Sequence, residues 1–333
     1  MLQDRLDSAV AAGRLKGVTA AVVSPAGVWA GAGGSDGAGK ALKPESAMWI
    51  ASITKTFTAA EVVLLASRGL IDLDAPIADY VAVPFDTGGA TVRQLLAMRS
   101  GFPEPDGITL AKKDLKRSWT LEELLATIPA DAPRRGVLGG PPHYNSGNFN
   151  VLSELIDATS GASTAAAFRR DLIDPAGLKR TWVQDAETPQ APLSVGTTVP
   201  ANKLVDPHGP FLPSRALSSV ANGAGNIAAQ AADVAQWGYQ LYGGHVIDAA
   251  LVPQLYADLQ YDESAGTMYG LGTMALTEED GTLVVGHAGG GTQYPYSAIL
   301  LVWTGERPAS VAVLTPQPLD AATLAELAYA LRI

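Results

Sequence analysis

The chain has no cysteine. Disulfides, thiolate metal sites and a cysteine nucleophile are therefore excluded. Histidine is nearly as scarce. His143, His208, His245 and His287 are the only ones, and none pairs with another at metal-ligand spacing, so no metal and no cofactor is expected. Basic residues number 23 against 33 acidic, for a formal charge of −10. Such a balance disfavours nucleic acid and anionic membrane surfaces as partners. No apolar run reaches membrane-spanning length. What the chain does have is 47% apolar residues over 333 positions. That suffices for a substantial core in one large domain or two smaller ones.

At the N-terminus, Leu2, Leu6, Ala9 and Val10 share one helical face, with charges between them. This reads as a packed amphipathic helix and not as a signal peptide. A soluble protein is expected, cytoplasmic if Met1 is the native start and secreted or extracytoplasmic if a signal was removed. Its oligomeric state cannot be read.

Strand signals follow at residues 17–23 and 28–31, joined by the turn Ser24-Pro25-Ala26-Gly27. Helical signals cover 52–69, 91–99, 119–128, 148–159 and 231–242. The first of these ends on Arg68-Gly69, a cation and a glycine cap. Residues 185–215 hold six prolines without periodicity and are expected to form an extended surface connection. Strand signals return at 269–276, 282–287, 296–303 and 309–314, before a closing helix over 319–331. The expected fold class is α/β (α+β): one sheet built from both ends of the chain and flanked by helices. An α/β domain of residues 1–49 and 216–333 would carry a mainly helical insertion of residues 50–215, with the site in the cleft between them.

Two motif matches lack their structural context. Gly34-Ser35-Asp36-Gly37-Ala38-Gly39-Lys40-Ala41 nearly fits a phosphate loop, but Ala41 supplies no hydroxyl for magnesium and Leu-Lys-Pro follows instead of a helix. Gly33-Gly34-Ser35-Asp36-Gly37 fits a nucleophile elbow, but it reads as a glycine-rich hairpin loop and not as the strand-to-helix turn that the elbow needs.

Three further stretches carry chemistry. Ser52-Ile53-Thr54-Lys55 begins an apolar helical run, and residues at i and i+3 share a helix face. A neutral lysine there can take the serine proton, and a charged one lowers the cost of an alkoxide. Alone, the pattern is equally a helix start with a solvated lysine. Pro141-Pro142-His143-Tyr144-Asn145-Ser146 precedes another helix, where a tyrosine packed beneath the helix start is the plainer reading. Gly286-His287-Ala288-Gly289-Gly290-Gly291 ends a strand on glycines, which suits close approach of backbone to a ligand. A strand edge with a satisfied histidine is the plainer reading there.

In this order, Ser-x-x-Lys, Tyr-x-Ser and His-x-Gly resemble the serine β-lactamase and penicillin-binding-protein superfamily. The nearer likeness is to its branch of class C β-lactamases, D-Ala-D-Ala carboxypeptidases, D-aminopeptidases and esterases. Leu70-Ile71-Asp72-Leu73-Asp74-Ala75-Pro76, Thr91-Val92-Arg93-Gln94-Leu95-Leu96 and Tyr269-Gly270-Leu271-Gly272 carry it as well, and it extends from about residue 5 to 330. The resemblance implies a β-lactamase/transpeptidase-like fold and a serine hydrolase working through an acyl-enzyme on Ser52. Lys55 and Tyr144 would share the proton work, His287 would polarise the Tyr144 hydroxyl, and the N–H groups of Ser52 and Gly290 would hold the oxyanion.

Two departures bear on the substrate. Ser146 stands where the family has asparagine, and Ala288 stands where a threonine or serine often helps hold a substrate carboxylate beside Gly289. Together they favour a small-molecule ester, amide or peptide over penicillins, so an esterase or D-amino-acid amidase is expected. A carboxypeptidase, a class C-like β-lactamase and an inactive ligand-binding relative are the alternatives.

Overall fold

The computed structural model describes residues 1–129 and 131–332. Eleven strands are present among them: β1 (Gly17–Ser24), β2 (Gly27–Gly34), β3 (Met48–Trp49), β4 (Thr181–Val183), β5 (Ile227–Ala229), β6 (Gln260–Asp262), β7 (Thr267–Tyr269), β8 (Met274–Thr277), β9 (Leu283–Gly290), β10 (Ser297–Trp303) and β11 (Ala309–Thr315). Eight form one antiparallel sheet in the order β2-β1-β11-β10-β9-β8-β7-β6, so the two ends of the chain meet at the β1–β11 pair. The remaining three form a small sheet, β3-β5-β4.

The central strands read as continuous apolar runs because both of their faces are covered. Side chains alternate across a strand. Ala21 and Val23 of β1, with Ala298, Leu300 and Val302 of β10, face the main core, where the helix Ala231–Tyr242 packs. Val18, Ala20 and Val22, with Ile299, Leu301 and Trp303, face a second core closed by the helices Leu2–Ala11 and Ala321–Leu331. The predicted N-terminal helix is therefore real, and it is seated on β2.

The helix Thr54–Ser67 is buried on nearly every side, as a helix apolar all round should be. It runs through the middle of the helical region and carries Lys55 inside. Its predicted glycine cap is present: Gly69 has φ +72° and its N–H bonds Ala66 O at 2.9 Å. The helix Arg215–Ala221 packs on Gly107–Lys113.

Two sequence expectations change. The strand predicted over 269–276 is two strands, β7 and β8, parted by a turn at Gly270–Gly272. Gly272 has φ +62°, and a Cβ there would lie 2.6 Å from the Ala59 Cβ. The Tyr-Gly-Leu-Gly run is thus a turn pressed against the Thr54 helix. Residues 185–215 are not a surface connection alone: Ser194, Leu204 and Leu212 are buried, and the Asp36 carboxylate accepts Val195 N–H at 3.0 Å. The glycine-rich stretch after β2 is a turn folded around Asp36, whose Oδ1 accepts the N–H of Ala38 and of Lys40 at 2.9 Å each.

Candidate active site

Ser52 lies in a 3₁₀ turn, Ala51–Ile53, between β3 and the Thr54 helix. Ala51 has φ +46°, a left-handed conformation that non-glycine residues rarely adopt and that concentrates at functional sites. The turn leaves Ser52 half-buried while Lys55, at the first turn of the helix, is wholly buried. Lys55 Nζ donates to Ser52 Oγ at 3.0 Å, to Ser146 Oγ at 3.2 Å and to the Ala224 carbonyl at 2.9 Å. Burial lowers the Lys55 pKa to about 7, against a smaller opposing pull from Glu104. Near neutral pH a large fraction of Lys55 is the free amine, with a lone pair available to the Ser52 hydroxyl, whose oxygen is 3.0 Å away.

Tyr144 is half-buried, and its ring centroid is 5.0 Å from Lys55 Nζ. Burial raises its pKa above the ordinary phenol value, and a hydrogen bond with Ser52 only partly offsets this. Tyr144 thus keeps its proton, and the phenol is a donor here more than a base. Ser146 opens the helix Ser146–Thr159. Asn145 precedes it as the cap, its Oδ1 accepting Gly147 N–H at 2.8 Å and its Nδ2 donating to Phe102 O at 2.7 Å.

His287, on β9, is buried. Its Nδ1 faces the Ala288 carbonyl, which only accepts, so Nδ1 carries the proton. Nε2 is then the acceptor for the Tyr269 hydroxyl at 3.2 Å. Burial first, then the charge of Lys55, lowers the His287 pKa to about 3, so the imidazole is neutral. The expected partnership with the Tyr144 hydroxyl is replaced by one with Tyr269, and the Tyr144 and His287 rings stand 6.0 Å apart.

The glycine run that ends β9 has a physical cause. A Cβ on Gly289 would strike the Ile50 carbonyl, and Gly290, at φ +77°, would press one on the Tyr296 carbonyl. Gly289 lets β9 lie directly against the Ser52 turn and Gly290 lets the β9–β10 connection close on the strand end, so each close approach is of backbone to backbone. Gly290 and Ser52 line the same two cavities, of about 580 and 320 Å³, which meet at Ser52. Ala288 and Gly289 line the smaller one.

Trp49 and Tyr294 line the larger cavity and pack edge to face at 5.5 Å. Trp182 and Trp237 are core. No motif marks Glu104, which lines both cavities and pairs with Arg135 at 2.7 Å. Nor does one mark Ala224, whose carbonyl fixes the lysine. Glu104 comes from a loop and Ala224 from the short 3₁₀ turn Asn222–Ala224, where residue type alone says nothing of direction.

A half-buried serine hydrogen-bonded to a buried lysine, set between a sheet and a helical region, is the class of site this fold presents. The family model described as Beta-lactamase matches residues 2–332, and the chain belongs to that family. The unguisins hydrolase ungD of Aspergillus violaceofuscus is 24% identical over 245 residues, 68% of this chain and 42% of that protein. The esterase/beta-lactamase LipL of Mycobacterium tuberculosis is 35% identical over 135 residues, 39% of this chain and 30% of that protein. The matches thus span less than half of these relatives' own length. A solved D-stereospecific amidohydrolase from Streptomyces sp. has the same fold, with a TM-score of 0.80 at 24% identity, covering 100% of this chain and 98% of that one. Among the described residues no helix is long and apolar enough to cross a membrane.

Proposed function

We propose that this chain is a serine hydrolase acting through an acyl-enzyme on Ser52, with small esters and D-amino-acid amides as its substrates and little activity on penicillins. The observation that carries the reading is Lys55. It is wholly buried, has its pKa lowered to about 7 and sits 3.0 Å from Ser52 Oγ.

In this mechanism the neutral Lys55 accepts the Ser52 proton as Oγ attacks the substrate carbonyl carbon. The new ammonium rests between Ser146 Oγ and the Ala224 carbonyl. The carbonyl oxygen takes the electron pair and is held by the N–H groups of Ser52 and Gly290, which need no reorganisation. Collapse breaks the bond to the leaving group. The leaving atom takes a proton from the Tyr144 hydroxyl, which Lys55 re-protonates. Water then attacks the acyl-enzyme, with Lys55 accepting its proton; collapse breaks the carbonyl–Oγ bond, Lys55 returns the proton to Ser52 Oγ, and the acid leaves.

The substrate class is supported by the cavities. Ala288 offers no hydroxyl and His287 is neutral, so the β9 side has little to hold a carboxylate. Glu104 lines both cavities in an ion pair with Arg135, and its carboxylate oxygens are acceptors suited to the ammonium of an amino-acid amide. Ile108, Leu124, Leu217 and Val220 give the larger cavity an apolar end for a side chain. The D-configuration rests on the name of the Streptomyces amidohydrolase alone. Turnover of p-nitrophenyl esters and of paired D- and L-amino-acid amides by the wild type and by Ser52→Ala tests the proposal. The variant is expected to keep the fold and lose turnover. Turnover retained by Ser52→Ala overturns the reading.

A further inference from the structure

Tyr144 stands in a loop, and a loop residue reaches a reacting atom reliably only if its backbone is tied down. The ties on one side come from Met98, whose carbonyl accepts His143 N–H at 2.8 Å and whose sulfur faces Asn145 N–H at 3.4 Å. On the other side there is one tie, 120 residues away in the chain: Tyr144 N–H donates to Ser264 Oγ at 2.9 Å. Ser264 sits in the four-residue turn between β6 and β7, at the edge of the large sheet. It lines the smaller cavity together with Ser52 and Tyr144.

The Ser264 hydroxyl is itself aimed. It donates to Asp262 Oδ1 at 2.6 Å, and the same oxygen accepts the N–H groups of Ser264 and Ala265 at 2.8 and 3.1 Å. Asp262 is wholly buried, and its Oδ2 has no partner among the described residues. With its proton committed to a carboxylate, Ser264 Oγ presents a lone pair to Tyr144 N–H, and the two bonds polarise each other. The strand leaving this turn ends at Tyr269, whose ring meets that of Tyr144 edge to face at 5.8 Å and whose hydroxyl holds His287. One edge hairpin therefore grips Tyr144 at the backbone and at the ring.

We propose that Ser264, oriented by Asp262, is a positioning residue that sets the Tyr144 phenol against Ser52. The inference rests on the hydrolase reading above. A geometric role of this kind acts on the rate of acylation and not on ground-state binding, because a misplaced reacting group costs rate steeply.

The test compares wild type, Ser264→Ala and Ser264→Thr. Its readouts are the rate of fluorophosphonate labelling of Ser52, kcat and KM on a p-nitrophenyl ester, and the melting temperature. Ser264 is exposed, so all three proteins are expected to fold and to melt within a few degrees of one another. Ser264→Ala is expected to lose about tenfold in labelling rate and in kcat with KM nearly unchanged, and Ser264→Thr, which keeps the hydroxyl, to recover most of it. An alanine variant that labels as fast as wild type overturns the positioning role and leaves the hydrolase reading standing. So does a loss confined to KM, or a loss that threonine does not repair. A wild type that does not label at all overturns both.

Discussion

Lys55 Nζ and Ser52 Oγ are 3.0 Å apart across a single turn of chain, with the lysine wholly buried and the serine half-open to the cleft. Burial of the amine is what turns proximity into chemistry. A solvated lysine stays charged at neutral pH and has no lone pair to offer. This one is enclosed by the Thr54 helix, the Ser146 helix and the 3₁₀ turn ending at Ala224, so the neutral form becomes competitive.

Replacing Lys55 by arginine therefore removes the base while keeping a cation, since a guanidinium does not deprotonate in proteins. Lys55→Arg is expected to lower kcat on a p-nitrophenyl ester by about 10²–10⁴-fold at every pH. Circular dichroism and a melting curve check that the variant still folds. Near-wild-type turnover by a folded variant contradicts the base role.

The pH profile follows with its sign. Below the Lys55 pKa of about 7 the lysine is protonated and cannot accept the serine proton, so kcat/KM falls as the pH drops through that value. His287, lowered to about 3, stays neutral across this range and adds no second acid limb. Tyr144 is raised above the ordinary phenol value by burial and adds no fall on the alkaline side at moderate pH. Measuring kcat/KM from pH 5 to 9, a span of about two units either side of neutrality, is expected to give a single ascending limb. A profile that falls through neutrality contradicts the account.

Gly290 is required by geometry. At φ +77°, with the Tyr296 carbonyl where a Cβ would lie, alanine cannot enter without moving the end of β9. Gly290→Ala is expected to displace one oxyanion donor and to lower kcat by about 10²–10³-fold. Single-turnover kinetics separates this loss from weaker binding. An unchanged acylation rate removes the Gly290 N–H from the mechanism.

A second buried charge lies two turns further along the same helix. Both carboxylate oxygens of Glu61 are buried without a partner among the described residues. Burial first, then the nearby Asp171, raises its pKa to about 7, although Arg68 and Arg170 pull the other way. A carboxyl whose folded pKa exceeds its unfolded one binds more protons in the folded state. Stability is then lost as the pH rises from the ordinary carboxylate range through about 7. Glu61→Gln stays neutral and is expected to be more stable than wild type at pH 8 by on the order of 1 kcal/mol, and much less so at pH 5. Urea unfolding at the two pH values checks it, and equal stability at both pH values contradicts it.

Much of this was legible in the sequence. Ser52 and Lys55 could be paired because i,i+3 spacing is a property of any helix. The sheet could be assembled from both ends because buried strands read as unbroken apolar runs. What could not be read depends on who meets whom in space. His287 pairs with Tyr269 because a glycine turn folds β7 back beside β8 and so towards β9, and no spacing rule predicts that partner. Lys55 owes its lowered pKa to burial among segments far apart in the chain, including the 3₁₀ turn at Ala224, 169 residues away. Glu104 and Ser264 reach the cleft from irregular segments, where the side-chain direction has no period to follow.

The most direct test of the central claim is intact-mass spectrometry of the native protein after incubation with a fluorophosphonate, followed by peptide mapping. A poised Ser52 predicts a single adduct on that residue, faster at pH 8 than at pH 6 and absent from Lys55→Arg. A folded protein that takes up no adduct, or takes it up on another serine, contradicts the claim that Ser52 and Lys55 form a working nucleophile.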